Sequence, residues 1–271
     1  DDIMSFRLNK QTFTAVVPVL VFATVLIAVS DNASAGEWSV GANVLGGRSP
    51  IVGEDGVAAL FPVVAYKGER FYANLGNPGL SFFNGNADFG GLGYSVFKGD
   101  HYNIDLVGKI RAMGLDPDDN SKLRGLDERK AGFDAGINAR WDTGYGELNA
   151  QLLTDVSNRS KGQEAIFSYA YPMTQGNWTL RPEVGISWQS SDLTDYYFGV
   201  QSDEVTASRS AYEGKSTVTP FAGVQVEYAF TQQTHLIGGV GIGRLGDGIS
   251  DSPIVDERNV GGGYLGLMYR F

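Results

Sequence analysis

The chain has 271 residues, 31 acidic and 21 basic, and no cysteine, so neither a disulfide nor a thiolate metal centre holds it together. A sequence pI near 4.7, with no dense run of Lys or Arg, excludes a nucleic-acid partner, which would demand a basic face. A mean hydropathy of −0.13 with 37 glycines and 12% aromatics excludes a helical membrane bundle and suits extended strands.

The first predicted element is a targeting segment. Arg7 and Lys10 follow Met4, an apolar stretch runs from Phe13 to Val29, and Ala33-Ser34-Ala35 precedes Gly36. Charge, apolar core and small residues in that order predict a secretory signal over residues 1–35, cleaved after Ala35. An uncleaved anchor helix fits less well, because the stretch is only 17 residues long and contains Pro18. Residues 36–271 are then the mature domain.

From Glu37 onward the apolar residues recur with period two, the mark of strands with two unlike faces. Strands are expected near 37–46, 57–67, 70–76, 87–98, 101–113, 131–142, 146–158, 162–173, 177–189, 217–230, 233–244 and 259–271. In the fifth, Tyr102, Ile104, Leu106 and Ile110 oppose Asn103, Asp105, Lys109 and Arg111; in the sixth, Phe133, Ala135, Ile137, Ala139 and Trp141 oppose Asp134, Asn138 and Arg140. In the ninth, Trp178, Leu180, Val184, Ile186 and Trp188 oppose Thr179, Arg181 and Glu183, and in the tenth Val218, Pro220, Ala222, Val224, Val226, Tyr228 and Phe230 oppose Thr217, Thr219, Gln225 and Glu227. Runs of ten or more residues exceed a typical soluble strand and match what a tilted strand needs to cross a bilayer. A soluble barrel would turn its apolar face inward and leave much of the chain unused. The fold expected is therefore an all-β, transmembrane antiparallel barrel of about twelve strands.

Connection lengths agree with that reading. If the first strand runs outward, the turns at 67–70, 98–101, 143–146, 174–177 and 231–234 are periplasmic and short. The connections at 47–56, 77–86, 114–130, 190–216 and 245–258 are external and longer, with 159–161 the short exception. Trp38, Trp141 and Trp178 then fall at the periplasmic interface and Trp188 at the outer one. Lys67, Arg70 and Lys98 mark a periplasmic rim. Leu265, Leu267, Tyr269 and the terminal Phe271 share one face of the last strand, a pattern that looks like the signal read by the barrel assembly machinery. The polar faces point Asp105, Lys109, Arg111, Asp134, Arg140, Asp155, Arg181, Glu183 and Glu227 into the lumen, where they either cross-pair and plug it or line a narrow aqueous path.

The segment Leu193-Thr194-Asp195-Tyr196-Tyr197-Phe198-Gly199-Val200, followed by Ala207, Arg209, Tyr212 and Thr219-Pro220-Phe221, continues to Arg244-Leu245-Gly246-Asp247-Gly248-Ile249-Ser250-Asp251-Ser252-Pro253-Ile254-Val255. Together these motifs resemble the MipA/OmpV family of outer-membrane proteins. The resemblance is densest over 193–271, spans essentially the mature chain, and implies a Gram-negative outer-membrane location. It also implies a scaffold role between a murein-degrading lytic transglycosylase and a murein synthase.

No catalytic centre or cofactor site is predicted. The two histidines, His101 and His235, both lie beside periplasmic turns and are expected to be interface polar residues. Asp116, Asp118 and Asp119 suit a solvated turn better than a calcium site. Gly238-Gly239-Val240-Gly241-Ile242-Gly243 has no following helix and reads as a glycine-rich strand rather than a phosphate loop. The tyrosine-rich stretch from Asp192 to Glu213 either folds inward as a constriction or extends the wall. Two functions remain open: the scaffold, and a small-solute channel with a charged lumen.

Overall fold

The computed structural model describes residues 36–54, 56–76 and 88–271, so the expected signal segment and the 77–86 connection lie outside the described residues. In chain order the strands are β1 (Glu37–Gly47), β2 (Val57–Lys67), β3 (Phe71–Leu75), β4 (Asp88–Lys98), β5 (Tyr102–Arg111), β6 (Gly132–Asp142), β7 (Glu147–Asp155), β8 (Gln163–Ala170), β9 (Met173–Gln175) and β10 (Trp178–Gln189). Helix α1 (Ser191–Phe198), β11 (Thr217–Ala229), β12 (Thr234–Arg244), the short α2 (Asp247–Ser250) and β13 (Asn259–Arg270) complete the chain.

Each strand pairs antiparallel with its neighbour, and β1 pairs with β13 from Ser39↔Arg270 to Gly47↔Gly262, closing the sheet on itself. β9 continues the register of β8 against β10, so the wall is a twelve-stranded barrel with one interrupted strand. The interruption falls at Tyr171-Pro172, where the chain runs past the start of β7 at Glu147, and Pro172, having no N–H, cannot extend the ladder on that side.

The outward face is bare and apolar: Leu60, Leu152 and Ile242 are each more than 60% exposed. In water such a surface would be an aggregation site; against lipid it is the stable one. Aromatic rings gather at the periplasmic end, where Trp38 packs on Tyr66 at 4.8 Å, Phe97 stacks on Tyr102 at 4.9 Å, and Trp178 meets Tyr228 at 4.6 Å. Trp188, paired with Val218, sits toward the other end.

The inward face is less uniformly polar than its charged residues suggest. Leu45, Val63, Val107, Leu153, Phe221 and Tyr264 also point inward and are buried. Their strand parity turns them inward although their chemistry would also suit lipid.

Candidate functional site

Arg111, at the outer end of β5, donates through Nε to Asp134 of β6 at 2.9 Å and through Nη2 to Glu164 of β8 at 2.9 Å. Ser187 Oγ donates to the other Glu164 oxygen at 2.6 Å. All three ionised groups are nearly sealed from solvent, at 5%, 5% and 2% side-chain exposure. Taking them out of water is costly, and only the multiple hydrogen bonds offset it. Lys109 lies in register with Asp134 on the same face. Asp105 is buried lower in the barrel and accepts from Ser95 Oγ at 2.8 Å and from the Tyr72 hydroxyl at 3.2 Å.

The periplasmic end is wetter. Arg181 lies between Glu147 at 3.1 Å and Glu183 at 2.6 Å, with its side chain 28% exposed. Glu227 accepts from Arg270 at 2.9 Å, and Arg140 is exposed at the periplasmic end of β6. His235 is buried beside them, its Nε2 3.1 Å from the Gln232 carbonyl; this departs from an interface position because its strand parity turns it inward. His101 is exposed in its turn.

Asp155 shares the inward parity of Asp134, its partner in register, and has a second role at the outer end of β7. Its carboxylate accepts from the N–H groups of Ser157, Arg159 and Lys161 and from the Ser157 hydroxyl, so it organises the β7–β8 turn. Asn158 and Lys161 in that turn take left-handed φ values of 59° and 57°, and the bonds to Asp155 hold them there. Sequence reasoning missed Glu147, Glu164 and Arg270. Strand parity was the available signal, since Glu164, Ser168 and Ala170 alternate with exposed Phe167 and Tyr169.

The family-like motifs build a cap over the outer mouth. Ser190 caps α1, whose Leu193, Tyr197 and Phe198 pack with Leu245, Ile249 and Val260. A second cluster joins Leu115, Leu123, Leu126, Val200 and Ile254. Tyr196 accepts from the Lys130 N–H at 3.0 Å, and Tyr197 donates to the Lys130 carbonyl at 3.4 Å; burial pushes the Tyr197 phenol above its ordinary pKa. Gly199 closes the helix through its N–H to the Asp195 carbonyl at 2.8 Å, and Val200 exchanges two backbone bonds with Tyr212. Leu245 is fully enclosed, and Ser252 donates to the Phe198 carbonyl at 2.6 Å, which ties the two motifs together. Pro253 is half-buried in the turn that follows α2, whereas Arg244 and Asp251 remain exposed. Gly214 lets the chain pass close to α1, since a Cβ there would lie 2.2 Å from the Asp195 nitrogen.

Arg129 is the polar anchor of this cap, contacting both oxygens of Glu204 at 2.9 Å with both side chains buried. Burial opposes the Glu204 charge, but the N–H groups of Asp127 and Gln201 together with Arg129 outweigh it and lower the pKa. Arg129 also lines a cleft of about 390 Å³ with Ser160, Lys161, Asp192, Asp195, Tyr196 and Gln201. Asp116 accepts from the Asp118 N–H in an Asx turn.

At the periplasmic rim Arg70 donates to the Ser95 carbonyl at 3.2 Å, Lys98 reaches the Glu69 carbonyl at 3.4 Å, and Lys67 is exposed opposite Glu37. At the end of the last strand, the Phe271 N–H donates to the Trp38 carbonyl at 2.9 Å, with Leu267 and Tyr269 on the outward face.

A family model described as MltA-interacting protein MipA matches residues 40–271. The chain is 34% identical over 193 residues to outer membrane protein OmpV of Vibrio cholerae, covering 70% of this chain and 75% of that protein. It is 28% identical over 250 residues to the MltA-interacting protein of Escherichia coli K12, covering 91% and 96%. Among solved structures, outer-membrane expressed OmpT of Vibrio cholerae aligns with a TM-score of 0.39 at 9% identity, over 89% of this chain and 99% of that one.

Proposed function

We propose, from the premise that the chain belongs to the family of MltA-interacting protein MipA, that this outer-membrane barrel is a scaffold. It holds a murein-degrading lytic transglycosylase beside a murein synthase at its periplasmic rim, and it carries no catalysis or cofactor of its own. The observation behind this reading is the burial of Arg111 between Asp134 and Glu164 at the outer end of the barrel, beneath an apolar-cored cap. A barrel capped in that way leaves its periplasmic end as the surface a protein of that compartment can reach. Further support is the Escherichia coli relative, which is named for interaction with MltA. Residues 1–35 act as the export signal, and Leu267, Tyr269 and Phe271 act as the assembly signal.

The test is binding of a purified MltA-type transglycosylase to the purified barrel in detergent. Charge reversal at Lys67, Arg70 and Lys98 should weaken binding about tenfold, with less loss at high salt, where rim charges are screened. The same barrel in planar bilayers should give no conductance steps. Steady conductance that changes with Arg181→Gln and Glu183→Gln would favour a small-solute channel instead.

A further inference from the structure

A wall closed on itself has no free strand edge, but at its periplasmic end this wall leaves β9 flanked on one side alone among the described residues. β8 pairs with β7 as far as Ala170, opposite Glu147, where β7 begins. After Tyr171-Pro172 the chain resumes as β9, with Met173, Thr174 and Gln175 facing Leu180, Thr179 and Trp178 of β10. Among the described residues no strand flanks β9 on its other side.

The direction of the free groups follows from one hydrogen bond. The Tyr171 N–H donates to the Pro182 carbonyl at 3.0 Å. By the alternation of an antiparallel ladder, the main-chain groups of Met173 and Gln175 also turn toward β10, and those of Pro172 and Thr174 turn away. The edge therefore presents the Thr174 N–H and the carbonyls of Pro172 and Thr174. Residues 171–178 are all exposed.

Its chemistry selects the occupant. Proteins usually guard such edges with charge, yet residues 171–180 contain no charged side chain, whereas the turns at 67–70, 98–101 and 142–147 carry some; the turn at 231–234 is also uncharged, but its strands are flanked by β10 and β13. A lipid headgroup phosphate would call for cations, which the hairpin lacks. A row of main-chain donors and acceptors is matched by another extended main chain.

We propose that the β9 edge receives an extended segment of the periplasmic partner as an added strand, with Thr174 as its central main-chain contact. This rests on the scaffold reading and names where and how the partner attaches. Pro172 keeps the added ladder short, so the contact supplies a few hydrogen bonds and suits a partner that docks and leaves.

The experiment uses the full barrel in detergent and a purified MltA-type transglycosylase. Thr174→Pro removes the outward N–H and spares the bonds to β10, so affinity should fall about tenfold, roughly the weight of one hydrogen bond. Thr174→Val keeps that N–H and should bind like the unaltered chain. A photocrosslinker at Gln175 should capture the transglycosylase, and one at Arg124 in the outer cap should not. The crosslink is made in an otherwise unaltered background, so it decides the matter even if Thr174→Pro fails to fold. Full binding by a folded Thr174→Pro barrel, or binding without a Gln175 crosslink, overturns this inference and leaves the scaffold reading standing. No binding by the unaltered chain overturns both. A Gln175 crosslink to a second copy of the barrel makes the edge a seam between copies and also overturns it.

Discussion

Two arginines in this barrel each sit between two carboxylates, one at either end. Arg111 holds Asp134 and Glu164 with almost no water present, whereas Arg181 holds Glu147 and Glu183 where roughly a third of the Arg181 and Glu147 side chains is wet. Similar contacts thus carry different weight. Removing one partner from the dry cluster leaves charges sealed from water and short of a counter-charge, while water replaces a lost partner in the wet one. The outer end is built to stay shut, and the periplasmic end is built to tolerate change.

The sharpest test of that contrast is Arg111→Ala, which should cost about 3–5 kcal/mol and lower the temperature at which the barrel loses its compact mobility on gels. Adding Asp134→Asn and Glu164→Gln should restore part of the loss, because the stranded charges are then gone. In the cap, Ile249→Ala should cost about 3 kcal/mol by opening a cavity among Leu193, Tyr197 and Leu245. Its readout is faster trypsin cleavage of the outer connections with unchanged barrel mobility.

Acid should loosen the cap by a smaller amount. The Glu204 pKa is held below its ordinary value of 4.5, so its contribution is complete above that value and is lost as pH falls through the folded value. Glu54 runs the other way: burial raises its pKa against a weaker opposing bond from Ser49, so its contribution is present at low pH and lost as pH rises. Pepsin cleavage of a Glu54→Gln barrel, scaled to pepsin's own pH profile, should therefore rise as the pH falls below the ordinary glutamate range through Glu204, and Arg129→Gln should move that onset upward. Cleavage that does not change with pH would remove Glu204 from the account. The smallest effect belongs to Arg181→Gln, which should change stability by less than about 1 kcal/mol and by less again in salt.

The strands were legible because a wall between lipid and lumen must alternate, and the 217–230 reading differs from the observed β11 by a single residue. The break at Pro172 was harder to read, since Met173 to Gln175 keep the alternation on either side of it. The lumen was legible in part. Arg111, Asp134 and Glu183 stood out against apolar neighbours, while Leu153 and Phe221 are inward by parity alone, since their chemistry would suit lipid equally. The cap was the least legible region. Leu123, Val200 and Ile254 come from three separate connections, and their meeting is a tertiary event with no period in the sequence. A local signal for α1 did exist, in Ser190 two residues before Asp192 and ahead of an apolar turn.

The seam between β1 and β13 has a consequence in time. Successive neighbours around the wall form by short-range hairpin pairing, but Ser39 must find Arg270 and Gly47 must find Gly262 across nearly the whole chain. Joining such distant segments is slow because the entropy of a very large ring is lost before any bond is gained. Closure is therefore the last event, and until it occurs both end strands are open edges. Gly41 belongs to this step, since a Cβ there would lie 2.1 Å from the Leu267 carbonyl. Substitutions at the seam should lengthen the lifetime of an unclosed sheet, during which two growing barrels can pair with each other instead of with themselves.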